Sequence, residues 1–295
     1  MLPILIVFVA SLAALAAWWR VRHVRAMTAL SMQRRQLGPD GVVIGGETFV
    51  LERPGAPAVL LLHGGGDTPQ ALRYLGTALH AHGFHVAAPL LPGHGRTVAE
   101  FSRVTADALT TAAESSYAEL RKTHDSVAVI GLSMGGALAV QIAASTPDLP
   151  ALGLVAPYLA MPRAIDVAAR LSWLWGILAP VVRSGDGISV LDPVERDRSL
   201  AYGVFTAQAL RALRTTVRRA TVSLPRVSAP TLMIQSREDN RISERAAERA
   251  FALLGARDKR LDWISGAAHI ITVDYGRERV IEALTSWLEA HRVSP

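Results

Sequence analysis

Ile130-Gly131-Leu132-Ser133-Met134-Gly135-Gly136 is the stretch on which the reading of this sequence turns. An apolar run with strand character, Ser126–Leu132, leads into it, and a run with helical character, Gly135–Ser145, leads out. Gly-x-Ser-x-Gly between a strand and a helix describes a turn too tight for side chains two residues either side of the serine. The serine takes a strained backbone conformation that lifts its hydroxyl above the sheet edge, at the N-terminus of a helix. Ser133 is therefore the candidate nucleophile.

Outward from this turn, short apolar runs alternate with amphipathic ones. Strands are predicted at Ala58–Leu62, His85–Leu91, Ser126–Leu132, Leu152–Ala156, Thr231–Gln235 and Arg260–Ile264, and a short hairpin at Val42–Val50. Helices are predicted at Pro69–His82, Val104–Thr123, Met134–Ser145, Ser243–Leu254 and Arg277–His291. Continuous apolar strands between amphipathic helices predict an α/β fold, with a mostly parallel sheet covered by helices on both faces. The alternation stops between Ala156 and Thr231, where the sequence has helical but no strand character. That stretch holds an apolar run, Leu171–Val182, and a Gly/Asp-rich break at Ser184–Ile188. A structureless loop of roughly seventy residues is improbable, so residues 158–228 are read as a helical cap insertion. Its apolar run, with Trp173 and Trp175, is expected to line an acyl-binding site.

Three further segments supply chemistry. Leu62-His63-Gly64-Gly65-Gly66-Asp67 follows the first long strand, and its glycines leave backbone N–H groups unobstructed. The N–H of Gly65, paired with that of Met134, is the candidate oxyanion hole. A serine hydroxyl needs a base to remove its proton at neutral pH. His269, between the last strand and the last helix, is the candidate, whereas His63 and His94 are expected to hold loops. The orienting acid is expected at the end of the preceding strand, where Glu238 and Asp239 stand. The shorter Asp239 is preferred.

Residues 58–291 resemble the carboxylesterase and monoacylglycerol-lipase branch of the α/β-hydrolases. The resemblance rests on Leu61-Leu62-His63-Gly64, Leu91-Pro92-Gly93-His94-Gly95, Gly131-Leu132-Ser133-Met134-Gly135-Gly136, Ala229-Pro230-Thr231-Leu232 leading into Asp239, and Ala268-His269. The order nucleophile, acid, base along the chain agrees with it. Two features depart from the pattern: Ala-Ala-His stands where Ser-Gly-His is usual, and the N-terminal apolar segment has no counterpart. The resemblance implies a serine esterase or lipase acting through an acyl-enzyme on a carboxylic ester with an apolar, lipid-like or medium-chain acyl group, with no cofactor. The alternatives are the same triad acting on a thioester, a peptide N-terminus or a carbon–carbon bond, and a non-catalytic membrane-tethered binding protein.

Composition narrows the rest. Of the 295 residues half are apolar and 19% are charged, which is a globular balance. No cysteine is present, which excludes a thiol nucleophile, disulfides and thiolate metal sites. The histidines show no metal-ligand spacing, so no metal is expected. The net charge of +6 comes from scattered arginines without interleaved aromatics, so no nucleic-acid partner is expected. Leu2 to Trp19 carries no charge, and as a helix it would reach about 27 Å, near the thickness of a bilayer core. Trp18 and Trp19 sit where an interfacial belt belongs, and Arg20, Arg22 and Arg25 follow. Residues 1–25 are thus read as a transmembrane helix with its basic flank, 26–41 as a connector and 42–295 as the hydrolase domain. The arginines place that domain in the cytoplasm, and a chain starting near Leu37 is expected to be soluble and active. The competing reading is a signal peptide cleaved after Ala14-Leu15-Ala16, with the protein exported.

Overall fold

A computed structural model describes residues 2–184 and 188–291. Its first element is helix α1 (Leu2–Met32). Then come strands β1 (Phe49–Leu51) and β2 (Ala58–Leu62), helix α2 (Arg73–Ala81), strand β3 (His85–Ala88), and helices α3 (Val98–Phe101) and α4 (Ala106–Arg121). Strand β4 (Val127–Leu132), helix α5 (Met134–Ser145) and strand β5 (Leu152–Val155) complete the first half. The sheet resumes only at β8 (Thr231–Ser236), followed by α10 (Glu244–Leu253), β9 (Lys259–Ile264) and α11 (Arg277–Ala290). Between β5 and β8 lie α6 (Arg163–Arg170), α7 (Ser172–Trp175), β6 (Val181–Arg183), α8 (Pro193–Arg198), β7 (Val204–Thr206) and α9 (Ala207–Ser223).

The seven-stranded sheet has the order β1-β3-β2-β4-β5-β8-β9, and every neighbouring pair is parallel except β1 with β3. Strands β2, β4, β5 and β8 are buried at every position, as continuous apolar runs covered on both faces should be. Leu60, Leu62, Val127, Val129, Leu152 and Leu154 pack with α4, α5 and α9, and their alternates Val59, Leu61, Ala128 and Ile130 pack with α2 and α11.

Three expectations are corrected. The hairpin at Val42–Val50 does not form: Val43 makes an antiparallel bridge to Leu37, and Phe49–Leu51 joins the sheet edge against β3. The insertion is not purely helical, because Val181–Arg183 and Val204–Thr206 pair as an antiparallel ribbon. Three-residue strands some twenty residues apart are too short to show a period of two. Residues 185–187 of the Gly/Asp-rich break lie outside the described residues. Finally, residues 26–32 are not a separate connector, since α1 continues unbroken to Met32. From Ala10 to Met32 the segment has neither Gly nor Pro to end the helix.

The two halves of α1 differ. The large apolar side chains from Ile4 to Trp19 are exposed. Beyond them the helix is seated on the insertion. Arg20 donates to the carbonyls of Gly176 (2.9 Å) and Ile177, His23 Nε2 donates to Val181 O at 2.6 Å, and Val24, Met27 and Leu30 pack on the core. Just past the helix, Arg35 lies 4.1 Å over the Tyr202 ring.

Candidate active site

The site forms at the carboxyl ends of β4, β5, β8 and β9. Between β4 and α5, Ser133 has φ 54° and ψ −116°; Ala156, at the end of β5, is the other non-glycine with positive φ among the described residues. The turn is sustained by hydrogen bonds: Ser133 N donates to Val155 O (3.0 Å), while Ser133 O accepts from Gly136 N (3.0 Å) and Tyr158 N (3.0 Å). Its glycines are obligatory. A Cβ on Gly131 would lie 2.2 Å from Gly135 O, and one on Gly135 would lie 2.0 Å from Leu62 O.

His269 and Asp239 reach this serine from the loops after β9 and β8. His269 Nε2 lies 2.8 Å from Ser133 Oγ, and His269 Nδ1 lies 2.8 Å from Asp239 Oδ2. A carboxylate can only accept, so Nδ1 carries the proton and Nε2 is left to accept from the serine hydroxyl. Asp239 also accepts from Gln235 Nε2 (2.6 Å) and from the N–H groups of Arg241 (2.7 Å) and Ile242 (2.9 Å). Burial works to raise the Asp239 pKa. The hydrogen bond and charge of His269, with the two backbone donors, outweigh it and hold the carboxyl below its ordinary value. Glu238 points elsewhere, accepting from Gly266 N at 3.0 Å.

Gly65 and Met134 are neighbours in space: a Cβ on Gly65 would lie 3.5 Å from Met134 Cβ. Among the described residues neither N–H is taken by another protein group. His63 and His94 tie the flanking loops together. Nδ1 of His63 donates to Gly64 O (2.9 Å) and its Nε2 accepts from Leu91 N (3.0 Å), while His94 Nδ1 donates to Pro92 O (3.0 Å). Burial, then the neighbouring His94, pushes the His63 pKa down to about 3, and burial pushes His94 down to about 4. Both rings are therefore neutral at physiological pH.

Trp173 and Trp175 are not gathered with these residues. Trp173 is 62% exposed, close to where Arg20 of α1 bonds Gly176 and Ile177, and Trp175 donates its Nε1 to Ala168 O at 2.8 Å. One participant had no sequence signal. Asp274, fully buried, accepts from Ala268 N (2.7 Å) beside His269 and from Leu191 N and Asp192 N of the insertion (2.8 Å each). It positions the histidine loop and the insertion together, yet in the sequence it is a lone carboxylate.

A family model described as serine aminopeptidase, S33 (Hydrolase_4), matches residues 54–275. The chain belongs to this family. As an S33-family member it is similar to a thermostable monoacylglycerol lipase of Bacillus sp. (strain H-257), 28% identical over 256 residues that cover 85% of this chain and 97% of the relative. It is also similar to a carboxylesterase of Bacillus subtilis (strain 168), 25% identical over 80% of this chain and 93% of the relative. Among solved structures, one from work on the metagenome-derived lipolytic enzymes LipS and LipT superposes with a TM-score of 0.78. It is 29% identical and covers 87% of this chain and 100% of its own. The monoacylglycerol lipase of Paleococcus ferrophilus, at 23% identity, shares the fold with a TM-score of 0.70, over 83% of this chain and 99% of its own. This S33-family chain is thus an α/β-hydrolase of the carboxylesterase and monoacylglycerol-lipase branch, an enzyme of the carboxylic ester hydrolase class.

One buried acid beside the glycine loop gives a pH-dependent prediction. Asp67 accepts from Thr68 N at 2.8 Å, and burial pushes its pKa up to about 6. Its pKa is higher folded than unfolded, so the folded state holds the proton longer. Stability then falls as pH rises from the ordinary carboxylate range to about 6, by roughly 3 kcal/mol in all, and is level above that. Asp67→Asn removes this loss while keeping an acceptor for Thr68. Thermal unfolding is expected to show the variant more stable than the parent at pH 8, with the difference shrinking at pH 4. An equal difference at both pH values would refute the assignment.

Proposed function

We propose that this enzyme hydrolyses carboxylic esters with an apolar acyl chain through an acyl-enzyme on Ser133. The observation that carries the reading is the hydrogen-bonded series Asp239–His269–Ser133, closed at 2.8 Å on both sides of the imidazole, beside the free N–H groups of Gly65 and Met134. Ser133 Oγ attacks the ester carbonyl as His269 Nε2 takes its proton. The carbonyl oxygen, now anionic, is held by the N–H groups of Gly65 and Met134. The imidazolium returns the proton to the leaving alkoxide, and Asp239 stabilises the charge while holding the ring in the required tautomer. Water then repeats the sequence on the acyl-enzyme.

The family description points to peptide N-termini, but the relatives matched over most of their length are named as a lipase and an esterase, which favours esters. A panel of p-nitrophenyl esters of rising chain length, a 1-monoacylglycerol and an aminoacyl-p-nitroanilide tests this. Medium-chain esters should be turned over faster than acetate, and the anilide hardly at all. Preference for the anilide would move the activity to peptides.

The domain organisation that fits is a hydrolase domain over residues 42–295, with the insertion at about 158–228 as its cap. The exposed first half of α1 is read as a single membrane span, with Arg20, Arg22 and Arg25 on the cytoplasmic side. Trp173 and its exposed neighbours Leu174, Ile177 and Leu178 then lie near the bilayer surface, which suits contact with lipid better than contact with a bound acyl chain. The seating of residues 20–35 changes the expected truncation. A chain starting near Leu37 loses core contacts, whereas one starting at Arg20 keeps them. The full chain is expected to stay with membranes after alkaline carbonate washing, and the chain from Arg20 to be released and active. A mature N-terminus at Ala17 by mass analysis would show a cleaved signal peptide instead.

A further inference from the structure

The cap meets the glycine loop through one aromatic ring. Phe205 stands on β7, opposite Val182 of β6, and is only partly buried. A Cβ on Gly65 would lie 3.6 Å from Phe205 Cζ, and one on Gly66 would lie 3.4 Å from Phe205 Cε2. The ring edge therefore touches the volume that a side chain in this loop would occupy. The loop is bare glycine, and the space beside it is filled from the cap.

The ring is also held firmly. It packs edge-on against Phe101 with centroids 5.5 Å apart, and Phe101 is stacked on Tyr202 at 4.4 Å. Tyr202 N donates to Gly66 O at 2.8 Å, which joins the approach to β7 directly to the glycine loop. On the other side of the ribbon, Ala207 N donates to Pro180 O (2.9 Å), and His23 of α1 holds Val181 O at 2.6 Å. A side chain fixed on both sides of its strand cannot swing away at little cost, since packed interiors resist displacement.

We propose that Phe205 is a specificity-determining residue for ester hydrolysis, limiting the branching accepted at the acyl α-carbon and at the alkoxy carbon next to the ester oxygen. The proposal rests on the reading of Ser133 as the nucleophile with Gly65 and Met134 as the oxyanion donors. A carbonyl oxygen on those N–H groups sets its carbon over Ser133, beside the loop whose Gly65 and Gly66 border the ring edge. An unbranched chain can lie flat against an aromatic edge. A quaternary carbon presents a methyl group in every rotamer and meets it.

Two isomer pairs test this, each differing only in branching: p-nitrophenyl pentanoate against p-nitrophenyl 2,2-dimethylpropanoate, and n-butyl against tert-butyl butanoate. In the full chain carrying Phe205→Ala, kcat/KM for the branched member of at least one pair should rise about tenfold or more relative to its linear partner, the scale of one added group in an apolar pocket. Phe205→Leu should fall between, and Phe205→Trp should move the ratio the other way. Branched-to-linear ratios within about twofold of the parent in both pairs would overturn the proposal, because a purely structural role lowers both isomers alike. If Phe205→Ala fails to label with a fluorophosphonate, Phe205→Leu decides by the same ratios. Failure of the underlying site reading would appear separately, as ester hydrolysis persisting in Ser133→Ala.

Discussion

Ser133→Ala is expected to lower kcat for ester hydrolysis by about 10⁶-fold, the scale seen when the nucleophile of a serine triad is removed. Labelling by a fluorophosphonate should disappear with it. The fold should survive, because what the turn demands is absence of bulk at Gly131 and Gly135, and alanine is smaller than serine. Its backbone, at φ 54°, is made no worse, since serine already bears the Cβ that makes this region unfavourable. Among the described residues the serine hydroxyl's one hydrogen bond is with His269 Nε2, so the variant leaves a neutral imidazole without one partner in a site where Ser133 is 9% and His269 4% exposed. Thermal stability is therefore expected to fall by no more than about 1–3 kcal/mol, the scale of one buried acceptor left unsatisfied. Labelling that persists at full rate in a folded variant would place the nucleophile on another residue.

The parts of this site that could be read from the sequence are those whose chemistry constrains the backbone. Gly131 and Gly135 have no alternative, because any Cβ would run into the main chain within 2.2 Å, and so the turn leaves a pattern in the residues themselves. His269 and Asp239 were legible through chain order and position after strands, and they do lie in one hydrogen-bonded series with Ser133. What escaped has no local pattern. Asp274 works through partners at Leu191 and Asp192, more than eighty positions away, as 82 and 83 residues of separation show. Phe205 is one aromatic in a three-residue strand. The docking of α1 was hidden because Arg20 reads as a membrane-flanking charge, and nothing in its neighbourhood announces carbonyls at Gly176 and Ile177. Long-range contacts of this kind are decided by tertiary packing, on which periodicity is silent.

Asp239→Asn is expected to cost on the order of 10⁴ in kcat while leaving the site's geometry nearly intact. The asparagine is the same shape, and its carbonyl oxygen can take over the N–H groups of Arg241 and Ile242 now accepted at 2.7 and 2.9 Å. The difficulty falls on the other oxygen. Asp239 Oδ2 accepts from both Gln235 Nε2 and His269 Nδ1, and an NH₂ group there can accept from neither. The imidazole then gains more by accepting at Nδ1 and carrying its proton on Nε2, where it donates to Ser133 Oγ instead of accepting from it. In that tautomer no base faces the hydroxyl, and the developing imidazolium has lost its countercharge. Glu238→Gln is the matched control. Its carboxylate accepts from Gly266 N at 3.0 Å and makes no contact with His269, so the change should cost little in kcat. The two variants together separate acid from neighbour. Comparable losses in both would mean that the loop as a whole matters, and a larger loss at Glu238 would transfer the orienting role to it. Raising the pH partly rescues a histidine held in the wrong tautomer, because hydroxide can substitute for the missing base. Activity of Asp239→Asn that climbs with pH beyond the parent's plateau would therefore identify loss of the base, rather than collapse of the site, as the cause.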